Sequence, residues 1–218
     1  KSSDQLPQDR SVQCALSRRT LLKAGVMVPF AGLARRAPAQ ASTFPDPSFV
    51  RSNGIRMALY QQGTGDVPVV FSHGFPELAY SWRHQIPALA AAGFRVIAPD
   101  QRGYGLTGGP KGEENVPLYD IEHLTGDLAG MLDALGIDKA VFCGHDWGGI
   151  VVWQMALLQK ERVAGVIGVN TPFIPRLTSD PIEAMRAVYG EKMYIVFFQR
   201  FGEAEKLLGK DTARSLRF

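Results

Sequence analysis

The sequence predicts an α/β fold, a mostly parallel sheet flanked by helices, running into the start of a helical cap. Three observations predict it. Apolar runs suited to strands alternate with helical patterns between residues 67 and 169. Two of those runs end in tight motifs, His73-Gly74-Phe75-Pro76 and Gly144-His145-Asp146-Trp147-Gly148-Gly149. From Pro172 the alternation stops, and Pro175 and Pro181 lead into an aromatic-rich segment and then a charged one. The expected organisation is a leader over residues 1–41, an α/β core over 42–171 and the beginning of a helical cap over 172–218.

The leader has the order of an export signal. Ser17-Arg18-Arg19-Thr20-Leu21-Leu22-Lys23 resembles a twin-arginine signature, residues 21–34 are modestly apolar, and Ala39-Gln40-Ala41 offers a small-x-small cleavage site. An apolar stretch that short and containing Lys23 does not span ~30 Å of hydrocarbon at ~1.5 Å per residue, so no stable membrane anchor is expected. Export to the periplasm or beyond by the twin-arginine machinery is. Cleavage there would also remove Cys14 and leave Cys143 alone, so no internal disulfide is expected in the mature chain.

After the leader, residues 48–51 and 55–61 flank Asn53-Gly54, a hairpin signal that predicts two antiparallel strands. Residues 67–72 then read as a strand, 80–92 as a helix, 94–98 as a strand, 121–135 as a helix stopped by Gly136, 140–143 as a strand, 148–159 as a helix and 163–169 as a strand. Alternation of this kind builds a parallel sheet covered on both faces, with ligands at the carboxyl ends of its strands. His73, Asp100 and Asp146 fall at such ends. The turn Asp100-Gln101-Arg102-Gly103-Tyr104-Gly105 lacks phosphate-loop spacing and reads as structural.

Around Asp146 the pattern is small-x-Asp-x-small, which describes a nucleophile elbow with Asp in the place where hydrolases usually carry Ser. Aspartate ionises near pH ~4, so a carboxylate presented this way attacks carbon without a base to activate it. The H-G-x-P loop supplies a backbone N–H to an oxyanion. The formal charge of +3 is misleading, because residues 1–41 hold seven basic and two acidic residues and leave 17 basic against 19 acidic in the body. No basic stripe suggests nucleic acid. No cofactor or metal is expected, and the oligomeric state is not legible.

With the H-G-F-P loop, the D-Q-R-G-Y-G turn, the G-H-D-W-G-G elbow and Tyr194-Ile195-Val196-Phe197-Phe198-Gln199 in that order, the chain resembles the epoxide hydrolases of the α/β-hydrolase fold over residues 44–218. The resemblance implies that Asp146 attacks an epoxide carbon to give an alkyl-enzyme ester, which is then hydrolysed to a diol. It implies that the backbone N–H groups of Phe75 and Trp147 hold the oxyanion and that Tyr194 is the first of two cap proton donors, with nearby Tyr189 the other candidate. It places His73, Pro76, Trp147 and Phe198 at a small lipophilic epoxide.

Neighbouring families differ in residue chemistry. A haloalkane dehalogenase-like hydrolase is the alternative enzyme; Trp147 suits it, but Phe75 has no side-chain N–H for a halide. Fluoroacetate dehalogenases carry Arg where this chain has Trp147 and Ile150, and esterases need Ser at position 146. All four histidines, His73, His84, His123 and His145, precede the nucleophile, whereas the family's catalytic His follows the last strand. The His-acid pair, the second cap tyrosine and the final strands are therefore expected to be absent from these residues. The resulting expectation is the N-terminal part of an exported epoxide hydrolase; the contrasting one is a truncated, non-catalytic binding or interaction protein.

Overall fold

The structure is a computed structural model that describes residues 44–175, 178–215 and 217. All of them belong to the unit Ser42–Phe218. The expected export leader lies outside the described residues.

Six strands form one sheet in the order β1-β2-β4-β3-β5-β6. Strands β1 (Pro47–Ser52) and β2 (Ile55–Gln62) are the antiparallel hairpin. Asn53 and Gly54 turn it with φ of +45° and +80°, the left-handed backbone that a two-residue turn between twisted strands requires. Strand β4 (Arg95–Pro99) lies antiparallel to β2, while β3 (Pro68–Ser72) runs parallel to both β4 and β5 (Ala140–His145), and β5 parallel to β6 (Val163–Val169). The chain steps from β3 outward to β4 and then returns to the other side of β3 as β5. That reversal opens a crevice at the carboxyl ends of β3 and β5, where ligands of such sheets bind.

Both faces of the sheet are covered. On one, Met57, Leu59, Val70, Ile97 and Phe142 pack with Leu128, Met131 and Leu132 of α2 (Ile121–Ala134) and with Val151, Val152 and Met155 of α3 (Trp147–Leu158). On the other, Val69, Phe71, Val96, Ala98 and Cys143 pack with Trp82 and with Ile86 of α1 (Gln85–Ala91). Successive strand residues serve opposite faces, Phe142 one and Cys143 the other, as the two-residue strand period demands. Burial drives the Cys143 thiol up to about 11, so it behaves as a small core hydrophobe.

One expected element is different. A single helix over residues 80–92 is replaced by a 3-10 turn at Ala79–Trp82 and the separate helix α1. Pro87 explains the break, because a proline has no N–H to give the preceding turn and its ring collides with that turn's carbonyl, so it fits only in a helix's first turn. Beyond β6 the chain is helical as expected, in α4 (Pro181–Tyr189), α5 (Tyr194–Phe197), α6 (Glu203–Gly209) and α7 (Thr212–Ser215).

A buried ion pair fastens the hairpin, the turn after β4 and α2 together. Arg102 donates through Nε and Nη2 to both oxygens of Asp127, at 2.8 and 2.6 Å, with side chains 3% and 2% exposed. Asn53 Nδ2 adds a bond to Asp127 Oδ1, and Ser52 Oγ donates to the Asp127 carbonyl. Removing one partner of a buried pair leaves the other charge without compensation. Asp127→Ala is expected to cost about 3–5 kcal/mol in urea unfolding, and a loss below about 1 kcal/mol, the range of surface pairs, would contradict this role.

Candidate active site

Strands β3 and β5 are in register with Ser72 opposite Gly144, so the turns that follow them leave the sheet side by side. Asp146 sits between β5 and α3 with φ +52° and ψ −121°, a left-handed-side backbone unusual for a residue with a Cβ. Such strain costs on the order of 1–3 kcal/mol and persists only where surroundings enforce it. Here the crowding is explicit. A Cβ on Gly148 would stand 2.1 Å from the Ser72 carbonyl oxygen, and one on Gly144 would stand 2.2 Å from the Gly148 carbonyl oxygen. Small residues on both sides of Asp146 therefore let α3 start directly above the end of β3.

The turn after β3 meets this elbow. The Phe75 N–H donates to Asp146 Oδ1 at 2.9 Å. Gly74 permits the approach, since a Cβ there would lie 2.6 Å from Asp146 Cβ. Trp147 is the first residue of α3, where backbone N–H groups have no partner within the helix and face outward from its positive end. One amide donor is thus bonded to the carboxylate, and the start of α3 follows it directly in the chain. The Trp147 side chain is exposed, as are those of Phe75 and Pro76, whose shared peptide bond is cis.

His73 corrects its expected place. Rather than facing a substrate it is fully buried, with Nδ1 donating to the Gly74 carbonyl at 2.9 Å and Nε2 accepting from the Gln101 N–H at 3.0 Å. Burial lowers its pKa and keeps the ring neutral, which this donor-and-acceptor arrangement needs. The ring thereby fixes the turn after β3 to the turn after β4. Tyr104 from that turn stacks edgewise on it at 4.9 Å, and its phenol is pushed up first by burial and then by the charge of Asp146. Asp100, as the sequence suggests, is structural: it accepts from the Ala79 and Leu106 N–H groups, both at 3.0 Å, and from the Tyr60 hydroxyl.

Three supports were not legible in the sequence. Glu77 Oε2 accepts from the Gly74 N–H at 3.0 Å while its Oε1 lies 3.1 Å from His145 Nδ1, which ties the loop to the residue before Asp146. Thr171 Oγ1 donates to the Asp146 carbonyl at 3.3 Å. Trp153 Nε1 in turn donates to the Thr171 carbonyl at 2.9 Å, so the chain leaving β6 is bound back to the elbow. Glu77 follows the H-G-F-P motif directly, but nothing in a one-dimensional pattern pairs it with His145.

The cap reaches the same place through aromatic edges. The Phe198 ring lies 5.6 Å from that of Phe75 and 5.8 Å from that of Tyr194, both in T-shaped geometry. Tyr194 is half exposed at the start of α5. Tyr189, at the end of α4, is 68% exposed. The aromatic chain therefore links Tyr194 to the turn after β3.

A sequence profile described as the α/β hydrolase fold matches residues 67–204. Epoxide hydrolase A of Mycobacterium tuberculosis is 49% identical over 79% of this chain and 53% of its own length. The crystal structure of epoxide hydrolase A from Mycobacterium thermoresistibile superimposes with a TM-score of 0.75 at 52% identity, covering 79% of this chain and 54% of that one. An epoxide hydrolase from Vigna radiata gives a TM-score of 0.73 at 42% identity, over 78% of this chain and 52% of its own. The chain spans about half the length of the curated relatives it matches.

The crowding at the elbow makes a direct prediction. Gly148→Ala is expected to destabilise by at least ~2 kcal/mol, because its methyl group meets fixed backbone. Gly209→Ala, where a Cβ would meet nothing within 4 Å, is expected to be neutral or slightly stabilising in its helix. Chemical denaturation of the two variants checks the contrast, and equal effects would contradict it.

Proposed function

We propose that this chain, which belongs to the α/β-hydrolase fold family, carries the epoxide-opening site of an epoxide hydrolase. The observation that carries the reading is the Phe75 amide donating to Asp146 Oδ1 at 2.9 Å, with the other carboxylate oxygen left for attack. In the first step that oxygen forms a bond to an epoxide carbon, the carbon–oxygen bond of the ring breaks, and the departing oxygen takes a proton from the Tyr194 hydroxyl. The product is a 2-hydroxyalkyl ester of Asp146. In the second step water adds to the ester carbonyl as a base takes its proton, and the Phe75 and Trp147 N–H groups stabilise the resulting oxyanion. Its collapse breaks the acyl carbon–oxygen bond, and the leaving oxygen takes the proton back from the base as the diol departs. The Asp146 carboxylate is restored and Tyr194 regains its proton from water.

Water addition needs a base. Within this chain His73 has both ring nitrogens occupied, His145 holds Glu77, His123 holds Asp120 beside the start of α2, and His84 is exposed ahead of α1. We assign the base and its acid to the part of the relatives' length that this chain does not match. Phe75, Trp147, Tyr194 and Phe198 give the mouth of the site an aromatic character that suits a small lipophilic epoxide. Sequence alone supports the remaining proposals: a core over residues 42–171, a cap beginning at 172, and export by the twin-arginine route from Arg18-Arg19 and Ala39-Gln40-Ala41.

Incubation with a styrene-oxide-like epoxide followed by peptide mass spectrometry is expected to place one adduct on Asp146. Asp146→Asn should remove it, and Tyr194→Phe should slow its formation by about 10²-fold. Adduct on another residue, or none on Asp146, would overturn the reading. For export, the secreted protein is expected to begin at or near Ser42, and replacing Arg18 and Arg19 by lysine should retain it in the cytoplasm; an uncut, cytoplasmic wild-type chain would contradict that.

A further inference from the structure

The cap segment that carries Tyr194 is closed by a chain of alternating charges. Arg186 of α4 pairs with Glu183 one turn earlier and, through Nε, with Glu191 Oε1 at 2.8 Å. The second oxygen of Glu191 lies 2.7 Å from Arg200 Nη2, and Arg200 Nη1 lies 3.5 Å from Glu203 Oε2 at the start of α6. One carboxylate therefore holds two guanidinium groups, one from before residue 191 and one from just after Phe198. The segment between them contains α5 and, with it, Tyr194 and Phe198.

Little else fixes that segment. Helix α5 is four residues long, far below the length at which a helix is stable by itself. Its start is capped only by Met193 Sδ, a weak acceptor, taking the Ile195 N–H at 3.2 Å. Val196 is buried and Phe198 rests on Phe75, but Tyr194 is half exposed. The direction in which its hydroxyl points thus depends on how the ends of the segment are held. An isolated exposed pair contributes little, whereas a carboxylate shared between two guanidinium groups gains from the network, here a hydrogen-bonded pair with Arg200 and a charge contact with Arg186 Nε. Hydrogen bonding from Arg200, with the charges of Arg186 and Arg200 behind it, keeps the Glu191 carboxyl below its usual range and therefore charged at neutral pH.

We propose that Glu191 is a positioning residue for epoxide opening: by drawing Arg186 and Arg200 together it closes the segment that presents Tyr194 beside the oxyanion loop. The inference rests on the reading of Tyr194 as proton donor. It has a signature that hydrophobic packing lacks. All the ion pairs are partly exposed, and at 1 M salt the screening length falls to ~3 Å, so high salt should loosen the clamp.

The test compares wild type, Glu191→Gln and Glu191→Asp by amide hydrogen exchange and by the rate of adduct formation on Asp146 with a styrene-oxide-like epoxide. Glu191→Gln is expected to speed exchange across residues 193–199 by about 3- to 10-fold. It should slow adduct formation by a similar factor, in the limiting rate rather than in the half-saturating epoxide concentration, with the unfolding midpoint of the core unchanged. Glu191→Asp keeps the charge and should recover part of both effects. One molar sodium chloride should do to wild type what the Gln variant does, and add little to that variant. Unchanged exchange and rate in Glu191→Gln, or an equal salt effect in both proteins, would overturn the proposal. A wild type that forms no adduct would instead remove the catalytic reading itself, and the reaction role of Glu191 with it, while the exchange arm would still report whether Glu191 orders the segment.

Discussion

The pairing of β3 with β5 is the constraint on which the site depends. Parallel strands in register end at one level, and with Ser72 opposite Gly144 the turns after them emerge one strand spacing apart, ~4.8 Å. A shift of one residue would turn Phe71 and Phe142 to the wrong faces of a sheet that is buried on both. The packing of the core therefore fixes the distance between the turn after β3 and the turn at Asp146 before any polar contact is made between them. The Phe75 amide bond to Asp146 is a consequence of that register.

Upon that frame the molecule places a strained carboxylate and surrounds it with supports that do not react. Close approach of Gly148 to Ser72 forces the turn, and Thr171 with Trp153 holds its carbonyl from the β6 side. Glu77 and His145 hold it from the loop side, and buried His73 ties the loop to the turn after β4. These bonds are worth roughly 1 kcal/mol each when net of water, so several together match the strain they oppose. A donor amide already aimed at the carboxylate needs little reorganisation when negative charge develops there. The segment after β6 is built on a different principle, with a short helix set by aromatic edges at one side and exposed ion pairs at the other.

The features legible in the sequence are those with a local cause. Alternating apolar runs gave the strands, Asn53-Gly54 gave the hairpin, and small residues around Asp146 gave the elbow. The helix over residues 80–92 failed for a local reason too, since Pro87 forbids it. A histidine at a strand end looks the same in sequence whether its ring faces a ligand or its own backbone, and only the Gln101 and Gly74 bonds place His73 inside. The Glu77–His145 bridge, the Trp153–Thr171 bond and the Arg102–Asp127 pair join segments far apart in the chain. Such pairings arise from tertiary proximity, and no periodicity announces them.

The central claim of the proposed function is that one oxygen of Asp146 bonds to carbon while the other stays on the Phe75 amide and gains that of Trp147. A crystal structure of the chain alkylated by an epoxide measures this directly. The account predicts an ester at Asp146 whose carbonyl oxygen lies within about 3.2 Å of both the Phe75 and Trp147 nitrogens, the range of an N–H···O bond. An ester carbonyl rotated away from both amides, or alkylation at another side chain with Asp146 untouched, would contradict it.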